Sequence, residues 1–136
     1  MSGMAHGVIR SEGYYKGKLV SRYEIRDTFK ADTVWEKLGQ VPKDALEWDI
    51  CNESAANSLH VNFQRQPDAN APPYHVLTDS RYPYSRYNPG EFRPEMVNVR
   101  GTSGQAFYFY YVIEKDRDTV VSDSDVYREA KYDTSK

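Results

Sequence analysis

Regular alternation of apolar and polar residues is the feature that most restricts how this chain can fold. In the stretch LVSRYEIRD, residues 19–27, Leu19, Tyr23 and Ile25 share one side of an extended chain, and charged residues occupy the other side. A period of two is typical of a half-buried β-strand, because successive side chains of a strand point to opposite faces. The sequence therefore predicts a strand with one face in a core and one in solvent.

The late stretch QAFYFYYVIEK, residues 105–115, is apolar on both sides of the same alternation. One side carries Ala106, Tyr108, Tyr110 and Val112, and the other carries Phe107, Phe109, Tyr111 and Ile113. Strands that are apolar on both faces are typical of sheets covered on both sides. We therefore predict a strand whose two faces both meet protein or a ligand.

Three further segments have the period of a strand: ALEWDIC, SLHVNFQR and YHVLTD. Only a short polar loop separates the first two, which favours an antiparallel hairpin. In that hairpin Glu47 would lie opposite Asn62, and Asp49 would lie opposite His60.

Two short segments carry helix signals. Asp32 is a candidate N-cap for a helix over residues 33–38, in which Trp35 would fill part of the core. Near the C-terminus, Ser122 followed by Asp125 resembles a capping box, so a short terminal helix is a second candidate.

These elements predict a mainly β fold, with one domain over residues 1–136 built as an antiparallel β-sandwich with one or two short helices. Two alternatives stay open, an α+β fold with a curved antiparallel sheet and a small β-barrel. The ends of the chain, residues 1–12 and 133–136, are expected to be flexible.

The charge balance argues against some classes of function. With 18 basic and 20 acidic residues the net charge is −2, and no long basic block occurs. Because nucleic-acid binding depends mainly on neutralising phosphates, we expect no nucleic-acid partner. No apolar run has the length of a membrane-spanning helix or of a signal peptide. This predicts no membrane insertion and a soluble protein that is cytoplasmic or released by a non-classical route.

Metal and cofactor chemistry have little support in the sequence. The three histidines, His6, His60 and His75, lack the spacing of a structural zinc site, so no metal and no cofactor is predicted. Cys51 is the single cysteine and cannot form an internal disulfide. It is expected to be a buried or half-buried structural thiol.

The segment TDSRYPYSRYNPGEFRP, residues 78–94, concentrates arginines and aromatic side chains among prolines. Pro83 and Pro89 cannot donate ladder hydrogen bonds, so the segment is expected at a sheet edge or in a surface loop. Aromatic faces and arginine forks suit glycans and protein surfaces, whereas the alternative is a stiff connection whose tyrosines pack back on the sheet. The predicted contact residues are Arg81, Tyr82, Tyr84, Arg86 and Tyr87, with His60 and Asn62 as further candidates.

Two other functions remain open. A small enzyme would use Asp49 and His60 as an acid-base pair in a β-walled pocket lined by Tyr108 and Tyr110, although the same polar residues also suit a solvated sheet face. An assembly subunit would bury the tyrosine face of residues 105–115 against another protomer, which would make the protein a homo-oligomer.

The stretch YHVLTDSRYPYSRY resembles part of the fungal immunomodulatory proteins, the small Fve-type lectin-like proteins. The family's Val-Leu-Thr-Asp run, Tyr-x-Tyr pair and Arg correspond to residues 76–79, Tyr82, Tyr84 and Arg86. LEWDI before this stretch and YYVIEKDRDTVV after it are weaker similarities. The resemblance implies an immunoglobulin-like sandwich, a homodimer, no enzymatic activity, and binding to cell-surface glycans or receptors. The leading prediction is a non-enzymatic, tyrosine-rich binding protein for a glycan or a protein partner.

Overall fold

The computed structural model describes residues 5–78 and 85–116, which form a β-sandwich of two antiparallel sheets. The described strands are β1, Ala5–Tyr15; β2, Lys18–Lys30; β3, Glu36–Gly39; β4, Glu47–Asn52; β5, Leu59–Asn62; β6, His75–Leu77; β7, Ser85–Tyr87; β8, Val97–Arg100; and β9, Ala106–Asp116. One sheet has the order β1-β2-β9-β4-β7, and the other has the order β3-β8-β5-β6. The predicted mainly β sandwich is confirmed, and the strands form two separate sheets rather than one closed sheet.

The core lies between the two sheets and follows the alternation of the sequence. Tyr23 and Ile25 of β2 are buried in it, as their period predicts. Trp48 of β4 stacks on Phe109 of β9 with ring centroids 5.5 Å apart. Leu59 on β5 belongs to the second sheet and lies in the same cluster, so both sheets share one core.

Strand β9 lies between β2 and β4 and is covered on both faces. Phe107 and Phe109 point into the core, and on the opposite face Tyr108 and Val112 are only 3% and 0% exposed. The prediction of a strand with two buried faces is confirmed. The outer face of this five-stranded sheet is therefore covered along part of β9 and is not fully open to solvent.

The predicted hairpin between β4 and β5 is wrong, because the two strands belong to different sheets. β4 pairs with β9 and β7, which sets Asp49 opposite Tyr110, whereas β5 pairs with β6 and β8, which sets His60 opposite Val76 and Arg100. The apolar faces of β4 and β5 meet across the core instead of lying side by side. Proximity in sequence therefore did not decide the pairing.

The predicted helix over residues 33–38 is also wrong, and the part of the chain that the structure describes contains no helix. Glu36–Gly39 forms β3 and pairs with β8, since a six-residue helix cannot offset its own nucleation cost without a packed face. Trp35 is not a core residue: the Arg100 guanidinium lies 4.2 Å from its ring, on the outer face of the second sheet. The predicted terminal helix at Ser122 lies outside the described residues.

Besides β3, two further strands were not expected from the sequence. Residues 5–12, expected as part of a flexible end, belong to β1 and pair with β2 throughout. Val97–Arg100 forms β8 in the middle of the second sheet. The expected flexible end at residues 133–136 lies outside the described residues. No helix able to cross a membrane occurs in the ranges 5–78 and 85–116.

Residues 85–94 occupy the place that their prolines predict. Ser85–Tyr87 is a three-residue strand at the edge of the five-stranded sheet, and among the described strands it pairs only with β4. The chain from Asn88 to Glu95 then runs as an irregular connection to β8. An edge strand of this kind presents its side chains to two different surfaces.

Candidate functional site

Strand β7 borders two concave surfaces, because its consecutive side chains point to opposite faces. Tyr87 packs at the margin of the core and lines an opening of about 360 Å³, the aromatic cleft, together with Phe63, Tyr74 and Phe92. Arg86 points outward and lines an opening of about 340 Å³ on the outer face of the five-stranded sheet, the outer-face pocket. The other lining residues of that pocket are Gly7, Val8, Ile9, Glu24, Arg26, Tyr108 and Tyr110.

Phe63 is the centre of the aromatic cleft. Its ring centroid lies 5.6 Å from that of Tyr74, 5.9 Å from Tyr87 and 5.6 Å from Phe92. The first two rings are nearly parallel to Phe63, and the third meets it edge-on. The Trp48 ring lies 6.1 Å from that of Phe63, so packed rings connect the base of the cleft to the core.

Two rings of the cleft remain open to solvent. Tyr74 is 64% exposed and Phe92 is 54% exposed, although both pack against Phe63. The Trp48 indole N–H donates a 2.9 Å hydrogen bond to the Phe92 carbonyl, which holds the backbone beneath that ring. Contiguous exposed aromatic surface of this kind, unlike a single exposed apolar side chain, marks a contact site.

Polar groups accompany the cleft. The imidazole of His75 stacks on Tyr87 with ring centroids 4.3 Å apart, and Tyr74 and Tyr87 each carry a hydroxyl. The cleft thus combines flat apolar faces with a few groups that can donate or accept hydrogen bonds, which is the usual composition of a small-ligand site.

The outer-face pocket is built by residues from neighbouring strands at matched register. Gly7 and Ile9 of β1 lie opposite Arg26 and Glu24 of β2, and Arg26 lies opposite Tyr110 of β9. The Tyr110 hydroxyl donates a 2.8 Å hydrogen bond to Glu24 Oε1. Burial, followed by this hydrogen bond, raises the pKa of Tyr110, so the hydroxyl stays protonated and neutral.

Two arginines face this pocket from different strands. The Arg26 guanidinium lies over the ring of Tyr108, 3.7 Å from its centroid. On the other side, Arg86 Nη1 lies 3.8 Å from Asp49 Oδ2. Asp49 itself is only 6% exposed, and its Oδ1 has no hydrogen-bond partner in the described part of the chain. Burial raises the pKa of Asp49 to about 6, although the Arg86 charge acts in the opposite direction.

Cys51 lies beneath these arginines and is fully buried. The thiol shares a hydrogen bond with Tyr108, and burial raises the pKa of both groups. A thiol that stays protonated at neutral pH is a poor nucleophile. The expectation of a buried Cys51 is confirmed.

The predicted contact residues do not form one cluster. Arg86 lies in the outer-face pocket and Tyr87 lies in the aromatic cleft. Arg81, Tyr82 and Tyr84 lie outside the described residues.

His60 and Asn62 belong to neither surface. His60 lies on the outer face of the second sheet, with Nδ1 3.1 Å from Arg100 Nη2, and burial and the Arg100 charge lower its pKa. Asn62 is buried, and its amide donates a 2.9 Å hydrogen bond to the Pro72 carbonyl. Both side chains therefore serve the fold where they lie.

The structure does not bring the proposed acid-base pair together. Asp49 faces outward from the five-stranded sheet, and His60 faces outward from the other sheet, with the core between them. Glu47, which shares the face of Asp49, is engaged by Arg22 at 3.3 Å. Across the described ranges, no three His, Cys, Asp or Glu side chains come close enough to hold a metal ion.

The residues that the sequence did not single out are Phe63, Tyr74 and Phe92 in the cleft, and Glu24 and Arg26 in the pocket. Phe92 lies inside the arginine- and aromatic-rich segment, so its composition was a usable signal. Arg26 belongs to the polar face of an alternating strand. From the sequence it looks like an ordinary solvated charge, and only the positions of the neighbouring strands show that it lines a pocket.

Comparisons of this chain with family models, curated proteins and solved structures found no match.

Proposed function

We propose that this protein is a non-enzymatic binding protein whose aromatic cleft recognises a glycan. The observation that carries the proposal is the packing of three rings, those of Tyr74, Tyr87 and Phe92, on the ring of Phe63 around an opening of about 360 Å³. That volume lies near the lower end of ligand pockets, roughly 300–1,000 Å³, and suits a single sugar ring or a short run of them.

Leaving Tyr74 and Phe92 exposed forgoes hydrophobic stabilisation, which supports a functional role for these two rings. An aromatic side chain buries about 150–250 Å² when fully covered, so covering the open half of either ring would contribute roughly 2–3 kcal/mol at about 25 cal/mol per Å². The fold forgoes this burial at two positions that line the same cleft. A ligand that covers both rings would recover part of it.

Sugar chemistry matches the cleft better than a purely apolar ligand does. A pyranose has a flat face of C–H groups that packs on an aromatic ring, and it has hydroxyls at its rim that need directed partners. Tyr74, Tyr87 and the adjacent His75 supply such partners beside the aromatic faces. Glycan binding is also what the resemblance to the fungal immunomodulatory proteins implies.

A protein partner is the second candidate, for a specific reason. Proline-rich segments in the polyproline II conformation dock in grooves lined by aromatic side chains, and the near-parallel rings of Phe63, Tyr74 and Tyr87 form a surface of that kind. The enzymatic alternative has less support, because Asp49 and His60 face away from each other on different sheets.

A glycan array probed with the intact protein and with two variants, Tyr74→Ala and Phe92→Ala, tests the proposal. We expect each variant to lose about tenfold or more in affinity for the glycans that the wild type binds, since each removes an aromatic wall. The matched control is Tyr14→Ala, because Tyr14 is 80% exposed on the β1–β2 hairpin and distant in sequence from the cleft.

If the wild type and all three variants bind the glycans equally, the aromatic cleft is not the glycan-binding site. Binding of a proline-rich peptide, but of no glycan, with loss in Tyr74→Ala and Phe92→Ala alone would replace the glycan with a protein partner. Both rings are exposed at the surface, so the variants should melt close to the wild type.

A further inference from the structure

We propose that the outer-face pocket is a second, separate binding site, which takes a small organic carboxylate with its head group between Arg26 and Arg86 and its apolar part along Ile9.

The Arg26 side chain is the first support. Its guanidinium carbon lies over the Tyr108 ring, 3.7 Å from the centroid, and a guanidinium group stacked on a ring keeps N–H donors at its edge. It makes no ion pair with a carboxylate of residues 5–78 or 85–116. A guanidinium group that is held by stacking, and that has no acidic partner among the described residues, is suited to bind a carboxylate ligand through two hydrogen bonds.

Arg86 supplies the second positive charge from the opposite side of the pocket. Its contact with Asp49 Oδ2 spans 3.8 Å, long for a hydrogen-bonded ion pair, and its side chain is 53% exposed. Arg86 of β7 and Arg26 of β2 both line the outer-face pocket, and both charges lower the pKa of the buried Cys51 thiol against the effect of its burial. The two guanidinium groups therefore approach one region of the sheet from different strands.

The remaining walls set the size and the charge of the ligand. Glu24 is held by the Tyr110 hydroxyl and Asp49 lies beside Arg86, so the two arginines face two carboxylates and the region carries no large excess of positive charge. This favours a monoanion over a multiply charged phosphate. Ile9 is 65% exposed at the other end of the opening, where an aliphatic chain of the ligand would cover it.

Asp49 competes with a carboxylate ligand for Arg86, because its own carboxylate already faces that side chain. The other groups around it are Glu47 on its own strand, Tyr110 on β9 and Cys51, which lies on the same face. Removing the Asp49 charge should leave Arg86 more available to an added anion.

Calorimetric titration of the intact protein at pH 7 with hexanoate, with its neutral isostere hexanamide, and with inorganic phosphate tests the proposal. We expect saturable binding of hexanoate, with affinities for hexanamide and phosphate weaker by about tenfold or more. Arg26→Gln should weaken hexanoate binding by a similar factor, and Asp49→Asn should strengthen it severalfold. The control Arg65→Gln removes an exposed arginine outside the pocket and should change nothing.

Equal affinity for hexanoate and hexanamide in the wild type would overturn the proposal without any variant, so it does not depend on how the variants fold. Phosphate binding more tightly than hexanoate, or Arg26→Gln binding hexanoate like the wild type, would also overturn it. The aromatic-cleft variant Tyr74→Ala should bind hexanoate normally, which separates this site from the glycan site.

Discussion

Among the single residues, Asp49 is one whose negative charge the fold disfavours. Its carboxyl is buried on the outer face of β4, and burial raises the pKa from 3.8 to about 6, with Arg86 acting in the opposite direction and Glu47 adding to the rise. Because the folded state binds this proton more tightly than the unfolded chain, the stabilising contribution is complete below about pH 4 and is lost as the pH rises through about 6.

Asp49→Asn should therefore differ least from the wild type at pH 4 and should be more stable at pH 7. A pKa shift of about 2 units corresponds to an upper limit of about 3 kcal/mol, and we expect a gain of about 1–3 kcal/mol in the free energy of unfolding. Urea denaturation of both proteins at pH 4, 5, 6 and 7 measures the difference.

Asp44→Asn is the matched control, because the Asp44 side chain is 70% exposed and its carboxylate pairs with Lys115 Nζ at 3.7 Å on the surface. Its stability relative to the wild type should hardly change over the same range. A difference between Asp49→Asn and the wild type that stays constant from pH 4 to pH 7 would contradict the assignment of the raised pKa to Asp49.

The sequence alone could not identify this role of Asp49. In the alternating segment ALEWDIC it is one of two outward-facing carboxylates, and its neighbour Glu47 is half-exposed and engaged by Arg22. Asp49 is buried because β7 pairs beside β4 and carries Arg86 over it. A three-residue edge strand leaves no periodic pattern that would reveal this pairing in advance.

At the scale of elements, a buried amide joins the end of β4 to its neighbours. Asn52 Nδ2 donates to the carbonyls of Leu77 at 3.0 Å and Asn57 at 2.9 Å, and its Oδ1 accepts from Gln105 Nε2 at 2.9 Å and from the Ser54 N–H at 3.0 Å. The Asn52 side chain is completely buried. One residue thus ties β4 to β6, to the start of β9 and to the following loop.

Asn52→Ala should lower the free energy of unfolding by about 2–4 kcal/mol, because it leaves several buried donors and acceptors short of a partner. Asn57→Ala is the control. Asn57 enters this network through its backbone carbonyl and its own side chain is exposed, so the change should stay within about 0.5 kcal/mol. Urea denaturation measures both free energies of unfolding. An equal decrease in the two variants would show that the Asn52 amide does not stabilise the contact between these elements.

The sequence shows where strands form more clearly than it shows which strands pair. Alternation located β2, β4, β5, β6 and β9, because each buries one row of side chains whatever its neighbours are. It did not determine that β4 pairs with β9 rather than with β5, since that choice depends on a long-range partner. Strand β1 was not predicted because it lacks an alternating apolar row: Val8 and Ile9 are consecutive, polar residues and glycines surround them, and nearly all of its described side chains are exposed.

At the scale of the whole molecule, the two concave surfaces share a strand yet open on different faces. Tyr87 belongs to the aromatic cleft beside β6, and Arg86 belongs to the outer-face pocket over β4 and β9. The composition of residues 78–94 pointed to this region, because arginines and aromatics crowd there. Its division into two surfaces follows only from the pleat of β7 and from rings supplied by other segments.

The single shared core has a consequence for unfolding. Side chains of both sheets, such as Trp48 and Phe109 from one and Leu59 and Val99 from the other, belong to one continuous cluster. Neither sheet buries its inner face without the other, so we expect the chain to unfold in one cooperative step.

The variant Trp35→Phe makes this measurable, since it leaves Trp48 as the sole tryptophan, in the core between the sheets. Trp35 lies on the outer face of the second sheet, so its replacement should preserve the fold. Urea unfolding followed by Trp48 fluorescence and by far-ultraviolet circular dichroism should give the same midpoint and the same dependence on denaturant, because loss of the core removes both sheets together. If the fluorescence changes at a lower urea concentration than the dichroism, strands persist after the core has opened, and the two sheets are then separate cooperative units.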